Sequence, residues 1–384
     1  MNELRTGTSA NVRKVLLTAL LAVAIGIILV AGLAGKDPVA AFAALLRGAV
    51  VGKKNIGTTL VGATNLLLNA VAFTIAYNAG FFNTGIDGDM YMGALAATVV
   101  GIYCKDLPPV LLAILCIVAA VVAGALWALI PALLNIHLNV NVLCVCIFMN
   151  MVANYVCGFF VVGPLTAGKA VPQSKEVGVR FPGFLKPSSL NIGIFFAIAI
   201  TIVVYWMMKK TAFGREIKTV GENRLHAEYA GISRKRLGVK AMLLSGAIAG
   251  FSGCIEILGN TGYFMQSFAA GLGSRGLLVA MLVRCNIVLL PLSAFFISAL
   301  NTGAVTMQAA TRVPKSLGDT LTAALIVLFC METLFMRKSK GELEKDKKRM
   351  SEETRAENAA GEPETREVPA PEPAPEAVQG GERK

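Results

Sequence analysis

The chain has 384 residues, of which 55% are hydrophobic and only 16% charged, and its mean hydropathy is +0.63. This composition excludes an ordinary soluble domain of that length and indicates a polytopic membrane protein. The net charge of +12 lies mainly beside apolar runs, where it orients the chain and meets anionic lipid. Because no aromatic residues are interleaved with that charge, a nucleic-acid partner is not expected.

Composition also limits the chemistry of the chain. Eight cysteines fall mostly inside apolar runs, form no CxxC pair and are accompanied by only two histidines, so we interpret them as small buried residues and expect no metal. No G-x-x-x-x-G-K-[ST] segment, which would cradle nucleotide phosphates, occurs in the sequence. The chain is therefore not expected to be an ATPase, and it is expected to bind no cofactor itself.

The first half of the chain predicts six membrane spans. Residues 1–14 form a short basic amino terminus on the cytoplasmic side, and residues 15–35 have about the length that crosses the hydrocarbon core. The segment 36–56 is then external or interfacial. The remaining five elements of this half are 57–80, 81–101, 108–131, 141–163 and 190–208.

The third of these elements, 81–101, is rich in glycine and carries Asn83, Asp87 and Asp89. These residues predict a broken, closely packed element rather than a lipid-facing helix. An ionised Asp at the membrane centre costs ~2.5–3.5 kcal/mol on insertion scales, so the carboxylates belong near a membrane surface or in a wet cavity. Two interpretations stay open, namely a tight turn between spans and a role in gating or in the substrate path.

Polar groups in the spans are the candidates for that path. Asn150, Asn154 and Tyr155 lie on one face of the fifth span, where they either bridge neighbouring helices or line a cavity. A path for a polar substrate needs hydrogen-bonding side chains. The predicted substrate path is therefore formed by Asn78, Asn83, Asp87, Asn150, Asn154 and Gln308.

A polar stretch, Thr211 to Arg236, separates the two halves of the membrane region. Its basic residues outnumber its three glutamates, which places the loop 209–237 in the cytoplasm. Asn223 is suited to cap a short helix that stops at Gly231. Because isolated helices below roughly 12–15 residues are unstable in water, this helix must rest on something. It is either part of an ordinary cytoplasmic loop or an element that docks a partner.

The second half continues with apolar runs at 238–259, 276–283, 284–303 and 317–336. The run 276–283 is short enough to be either a completed crossing or a re-entrant element. Counting it as a crossing gives an all-α membrane domain, 15–336, of about ten helices, some broken or short, with both chain ends cytoplasmic. Residues 337–384 are rich in Pro and Glu and predict a disordered cytoplasmic tail.

At the polar stretch the sequence closely resembles the coupling region of bacterial ATP-binding-cassette importer permeases of the simple-sugar and nucleoside branch. The match is carried by TAFGREIKTVGENRLHAEYAGI, by FFNTGIDGDMYMGALAA and by LNTGAVTMQAATRVP. Asp87 and Asp89 depart from this pattern, since they stand where the family usually has Glu and Gln. The length and the additional first span are most similar to the larger of the two unlike permeases of nucleoside importers.

The resemblance implies a permease subunit of the bacterial cytoplasmic (inner) membrane that translocates nucleosides or simple sugars. It implies four partners: an ATPase subunit that binds ATP and Mg, a second permease chain that is unlike or identical, an external substrate-binding protein, and the lipid membrane. It also assigns coupling to the ATPase to Gly214, Gly221, Glu222, Asn223, Ala227, Tyr229, Ala230 and Gly231.

Two other functions were weighed against this one. An ion-coupled secondary transporter would use buried carboxylates as relay groups, with Asp87, Asp89, Glu256 and Asp319 as the candidates. An intramembrane protease is disfavoured, because the spacing in GIDGD is wrong for a G-x-G-D motif and no Tyr-Asp partner motif is present.

Overall fold

A computed structural model describes residues 38–184, 188–222, 224–268, 271–311 and residue 320. The predicted amino terminus 1–14, the first span 15–35 and the tail 337–384 lie outside these residues. All but one residue of the predicted last span, 317–336, lies outside them as well. The domain boundaries drawn from the sequence at both chain ends therefore stay predictions.

Helices form the described part of the chain, which contains no strand beyond isolated bridges such as Thr166–Ser174 in the loop 163–192. A π-helical turn, Glu256–Thr261, directly continues the helix that ends at Ile255. The helices are α1 (Pro38–Val50), α2 (Lys53–Asn78), α3 (Ile86–Tyr103), α4 (Pro109–Leu138), α5 (Val142–Val162), α6 (Gly193–Lys210), α7 (Ala212–Glu222), α8 (Arg224–Tyr229), α9 (Arg234–Ile255), α10 (Leu272–Leu282) and α11 (Leu290–Thr311).

Six of these helices are long and apolar enough to cross a membrane: α2, α4, α5, α6, α9 with its π-helical turn, and α11. This number covers only the residues that the structure describes. The predicted all-α, polytopic membrane architecture is confirmed. The total of about ten spans, and the side on which each chain end lies, stay predictions.

One sequence-based boundary was wrong, and one element differs from its description. The fourth span was predicted to end at Pro131, but α4 runs through that residue to Leu138. Proline removes one backbone donor and can be tolerated inside a membrane helix when its neighbours accommodate the change. The element 81–101 was predicted to be broken, whereas α3 is continuous after a turn at residues 79–85; its close packing is confirmed, because most of its residues are buried.

The short run at 276–283 belongs to α10, which has 11 residues. At 1.5 Å per residue this helix is about 16 Å long, roughly half the thickness of the hydrocarbon core. The helix alone does not span the core, so a crossing here needs the neighbouring residues to complete it, and the two interpretations left open by the sequence both stay predictions.

Burial separates inner from outer helices. In α2 and α9, 83% of the most apolar window is buried inside the protein, against 22% in α4, α5 and α6. The inner pair therefore contacts other helices on nearly all sides, while α4–α6 present apolar side chains such as Phe148 and Phe159 outward. An apolar surface of this kind suits lipid or a second membrane chain.

The inner helix α9 contacts α3 and α4 backbone to backbone. Gly250 of α9 lies against Gly93 of α3 and against Ala120 and Gly124 of α4, and Gly246 meets Gly124 from one turn away. A Cβ atom at Gly250 would overlap the carbonyl oxygen of Ala120 and lie 3.0 Å from the Cα of Gly124. Small residues are thus required where the three helices meet.

We expect Gly250→Ala to destabilise the protein by about 1–3 kcal/mol, because the added methyl forces α9 and α4 apart. Thermal unfolding of the detergent-purified chain measures the effect. Gly183→Ala is the matched control, since the nearest atom to its new Cβ, the Leu190 oxygen, is 3.5 Å away. Equal unfolding midpoints for the two variants would contradict the close-contact account.

Candidate functional site

The turn between α2 and α3 holds a buried hydrogen-bond cluster around Asn83. The Asn83 Oδ1 accepts from the backbone N–H of Gly85 at 2.9 Å, and its amide donates to the Ser245 Oγ at 3.0 Å and the Asp89 Oδ2 at 3.3 Å. Asn83 is fully buried, and Asp89 is 1% exposed. These bonds attach the turn to α9 and leave the Asn83 amide fully engaged.

Asp87, in the first turn of α3, caps the start of α10. Its Oδ1 accepts from the backbone N–H of Gly273 at 2.7 Å, and its Oδ2 accepts from the N–H of Ser274 at 3.2 Å and the Oγ of Ser274 at 2.7 Å. A carboxylate at this place satisfies N–H groups that a helix leaves without internal partners and interacts favourably with the helix dipole. Asp87 therefore joins two helices that are 186 residues apart in sequence.

Asn150 of α5 contacts the same region from the other side. Its Oδ1 accepts from the backbone N–H of Gly88 at 2.8 Å, and its Nδ2 donates to the carbonyl of Thr84 at 2.9 Å. One turn on, the Asn154 Oδ1 accepts from the Ser267 Oγ at 3.4 Å. Tyr155, which was grouped with these two residues, points away from the protein and is 75% exposed.

In the described part of the chain, the predicted path residues therefore lie at different places in the bundle. Asn83, Asp87 and Asn150 each bond in or next to the α2–α3 turn and join it to other helices, whereas Asn154 bonds to a neighbouring loop. Gln308 is exposed on α11. For the Asn150 face the geometry matches helix bridging, one of the interpretations left open by the sequence, and Asp87 lies in α3 just after the turn that joins α2 to α3.

Asn78 is the last residue of α2 and lines a cavity of about 750 Å³ beside α7. We call this cavity the α7-end cavity. Tyr205 and Lys209 of α6 form a second wall, with the Lys209 Nζ 4.7 Å from the centre of the Tyr205 ring. The residues of α7 that line it are Lys218 and Gly221, and the remaining wall is 285–289. One cavity is therefore bounded by α2, α6 and α7.

The helix α7 is amphipathic and lies across the ends of α2 and α6. Its Ile217 and Val220 are buried, while Arg215 and Lys218 are exposed. Gly214 fits against the Met207 and Met208 carbonyls of α6, and Gly221 against the carbonyl of Asn78. Gly214 and Gly221, two of the three glycines assigned to coupling, thus allow α7 to approach the membrane helices closely. Glu222 is the last residue of α7, and Asn223, the predicted cap, lies outside the described residues.

The short helix α8 follows, and its end matches the sequence prediction. Gly231 has φ = 75°, its N–H donates to the Glu228 carbonyl at 3.0 Å, and the N–H of Ile232 donates to the Ala227 carbonyl at 2.9 Å. These two bonds form a Schellman motif, which requires a left-handed residue and favours glycine. Ala227 faces the protein and is 1% exposed. Tyr229 is 90% exposed, and Ala230 beside it is exposed too.

At the opposite end of the bundle lies a second cavity of about 540 Å³, which we call the distal cavity. Along α2 the wall of this cavity runs from the exposed Lys54 and Thr58 to the buried Asn65. The lining residues of α2 and of α11 recur every three or four positions, so each helix presents one face to the cavity. The π-helical turn contributes Glu256 and Asn260. The α11 residues are Ser298, Asn301, Thr302, Val305, Thr306 and Ala309.

Glu256 is held from two sides at the wall of the distal cavity. Its Oε2 accepts from the Nδ2 of Asn65, and its Oε1 accepts from the Nδ2 of Asn260 at 2.7 Å. Glu256 is 8% exposed and Asn65 is 3% exposed. Asn65 and Glu256 were visible in the sequence as polar residues inside apolar runs, but the two are 191 residues apart and nothing in the sequence pairs them.

Comparison with known proteins decides what kind of membrane protein this is. Residues 55–330 match the family described as the branched-chain amino acid transport system / permease component. The chain belongs to this permease family. The match runs from the first turn of α2 to beyond α11, so it includes the α7–α8 pair and the residues of both cavities except Lys54.

Among similar curated proteins, a glucose ABC transporter permease of Haloferax volcanii is 32% identical over 338 residues, covering 84% of this chain and 87% of that protein. A guanosine ABC transporter permease of Bacillus subtilis is 30% identical and covers 86% and 97%. A nucleoside ABC transporter permease of Lactococcus lactis is 28% identical and covers 78% and 85%. No solved structure matches the chain.

The protein is thus a multi-pass permease component of an ABC transporter, as the sequence resemblance predicted. The relatives are named as transporter permeases, and they favour neither the ion-coupled carrier nor the protease. The roles of the individual residues assigned to the substrate path and to coupling with the ATPase stay predictions.

Removal of the Asp87 carboxylate tests its role as a cap. We expect Asp87→Ala to destabilise the purified permease by roughly 0.5–2 kcal/mol, because the first N–H groups of α10 lose their acceptor. Asp106→Ala is the matched control, since Asp106 is exposed after α3. An unfolding temperature equal to that of the wild type would show that Asp87 is not needed to hold α3 and α10 together.

Proposed function

We propose that the permease forms the membrane channel of a binding-protein-dependent importer for nucleosides or simple sugars in the bacterial cytoplasmic membrane. A separate ATPase pair binds ATP and Mg and drives the cycle, while this chain has no catalytic site. An external binding protein delivers the substrate, and a second permease chain completes the channel. In this proposal the permease has about ten spans, and the loop 209–237 and both chain ends are cytoplasmic, in keeping with their basic residues.

The observation that carries the coupling part of this proposal is the α7–α8 pair. A 90% exposed tyrosine stands on a six-residue helix whose end is fixed by the Gly231 motif and whose Ala227 is buried. Exposed aromatic side chains are frequent anchors at protein interfaces, and helices commonly dock in grooves. We infer that Tyr229 and Ala230 contact the ATPase, while Gly214, Gly221 and Ala227 seat the pair on the permease.

The contacts of α7 supply a route for the coupling. Displacement of α8 by the closing ATPase pair moves α7, because the two helices pack on each other. Movement of α7 pushes on the ends of α2 and α6 through Gly221 and Gly214. It also changes the wall of the α7-end cavity, in which Lys218 and Gly221 face Asn78. We propose that this cavity is the cytoplasmic exit of the substrate path.

The substrate class is inferred from what the relatives' names share. Glucose and guanosine differ in ring system and in the presence of a base, but each carries a ring with neighbouring hydroxyl groups. Relatives named for the two substrates have similar identity to this chain, 32% and 30%. We therefore propose that the substrate carries a sugar ring with hydroxyl groups. Within that class we propose nucleosides.

We expect Tyr229→Ala to lower ATP-driven uptake at least about tenfold, because truncation of a buried interface anchor typically costs 2 kcal/mol or more. The measurement is radiolabelled nucleoside uptake by the assembled transporter in vesicles, together with the amount of ATPase that copurifies with the permease.

Tyr103→Ala is the matched control, since this tyrosine is 66% exposed at the last residue of α3, away from α8. Normal uptake and normal ATPase copurification by Tyr229→Ala would overturn the docking role. If Tyr229→Ala and Tyr103→Ala both lost uptake and ATPase copurification, the loss would indicate general damage to the protein.

A further inference from the structure

We propose that the distal cavity is a substrate subsite that binds the neighbouring hydroxyl groups of a sugar ring, with Glu256 as the principal acceptor. This inference rests on the proposed import function, because it names the group of the substrate that the permease itself recognises. The subsite lies at the end of the bundle opposite α7. In the proposed orientation this is the side on which a binding protein releases its cargo.

The first support is an excess of hydrogen-bond acceptors in the cavity wall. Each oxygen of the Glu256 carboxylate has one amide donor, from Asn65 and Asn260, although a carboxylate offers about four acceptor positions. The Oδ1 atoms of Asn65 and Asn301 are buried and have no donor among the residues that the structure describes. Buried polar groups without partners are costly, so this wall favours a ligand that brings donors.

A sugar ring supplies donors of that kind. Two neighbouring hydroxyl groups can each donate to one carboxylate, while their own oxygens accept from nearby amides. The amide donors that already hold Glu256 fix the direction in which its remaining acceptor positions point.

The second support is the size and the shape of the cavity. Its volume of about 540 Å³ lies inside the range of small-molecule sites, roughly 300–1,000 Å³, and is far larger than a bare cation requires. The wall passes from the exposed Lys54 and Thr58 at the mouth to the buried Asn65 and Glu256 inside. A ligand can therefore enter from solvent and reach the carboxylate.

The third support is the backbone that carries Glu256. The residues Glu256–Thr261 form a π-helical turn, in which the N–H of Gly262 donates to the carbonyl of Ile257 at 2.7 Å. Such turns are rare and are often found at functional sites. Here the turn places Asn260 so that its amide reaches Glu256. Gly259 within it lies against the side chain of Asn191, where a Cβ would be 2.7 Å from the Asn191 Cγ.

Protection of an engineered cysteine tests the subsite in the assembled transporter. Thr302→Cys places a thiol in the cavity wall, and its alkylation by N-ethylmaleimide is followed by mass spectrometry of the peptide that contains it. We expect uridine to slow this alkylation. We expect 2′,3′-dideoxyuridine, which lacks the hydroxyl pair, to need about a tenfold higher concentration for the same protection.

Glu256→Gln in the same background should abolish the difference between the two nucleosides. The added NH₂ group replaces one acceptor oxygen and faces an asparagine amide that already donates. Asn301→Ala should weaken uridine protection while keeping the Glu256 contacts. Glu176→Gln is the matched control, because Glu176 is largely exposed and pairs only loosely with Arg180, at 3.9 Å.

Three results would overturn the subsite: no protection by uridine, equal protection by the two nucleosides, or unchanged protection in Glu256→Gln. Protection by NaCl but not by choline chloride, without any effect of uridine, would assign the cavity to a cation instead. ATP-driven uridine uptake is measured in the same vesicles. Uptake without protection rejects the subsite alone, whereas selective protection without ATP-driven uptake rejects the proposed import function and leaves the subsite standing.

Discussion

Close contact between α9, α3 and α4 is the constraint on which the rest of the structure depends. Where lipid offers no hydrophobic drive for helices to associate, close packing and hydrogen bonds must hold them together. Gly250 lets α9 approach the backbones of both neighbours, and the Asn83–Ser245 bond adds a polar link from the α2–α3 turn to α9. With α9 fixed in this way, its first residue lies next to α8, and the π-helical turn that continues it carries Glu256 at the other end.

The permease uses its buried polar side chains in two ways. Asn83, Asp87 and Asn150 bond to backbone groups and to side chains of neighbouring elements and so join helices. Asn65 and Glu256 are also bonded to each other, but they line a cavity and keep acceptor capacity. A hydrogen-bonded cluster that is complete stabilises the fold, whereas one with spare acceptors beside a cavity can bind a ligand. This difference is the physical basis for moving the candidate substrate site from Asp87 to Glu256.

Much of the fold could be read from the sequence, because apolar length and glycine pattern decide where helices lie in a membrane. The end of α8 at Gly231 was also predictable, since a left-handed residue there favours glycine. The end of α4 was predicted wrongly at Pro131, because a proline that ends a helix in water can remain inside a helix in a packed membrane bundle. The site was less predictable: Asn150 and Asn154 share a face of α5, but whether that face meets a cavity or a helix depends on tertiary packing.

The central claim is that this permease moves a hydroxyl-bearing substrate only when a partner ATPase turns over. Uptake of radiolabelled guanosine, uridine and ribose, by vesicles that contain the assembled transporter with ATP inside, tests it most directly. The account predicts uptake of at least one of these compounds that is lost when the ATPase partner is made inactive. Uptake that continues without ATP or with the inactive partner would contradict it and would favour an ion-coupled carrier.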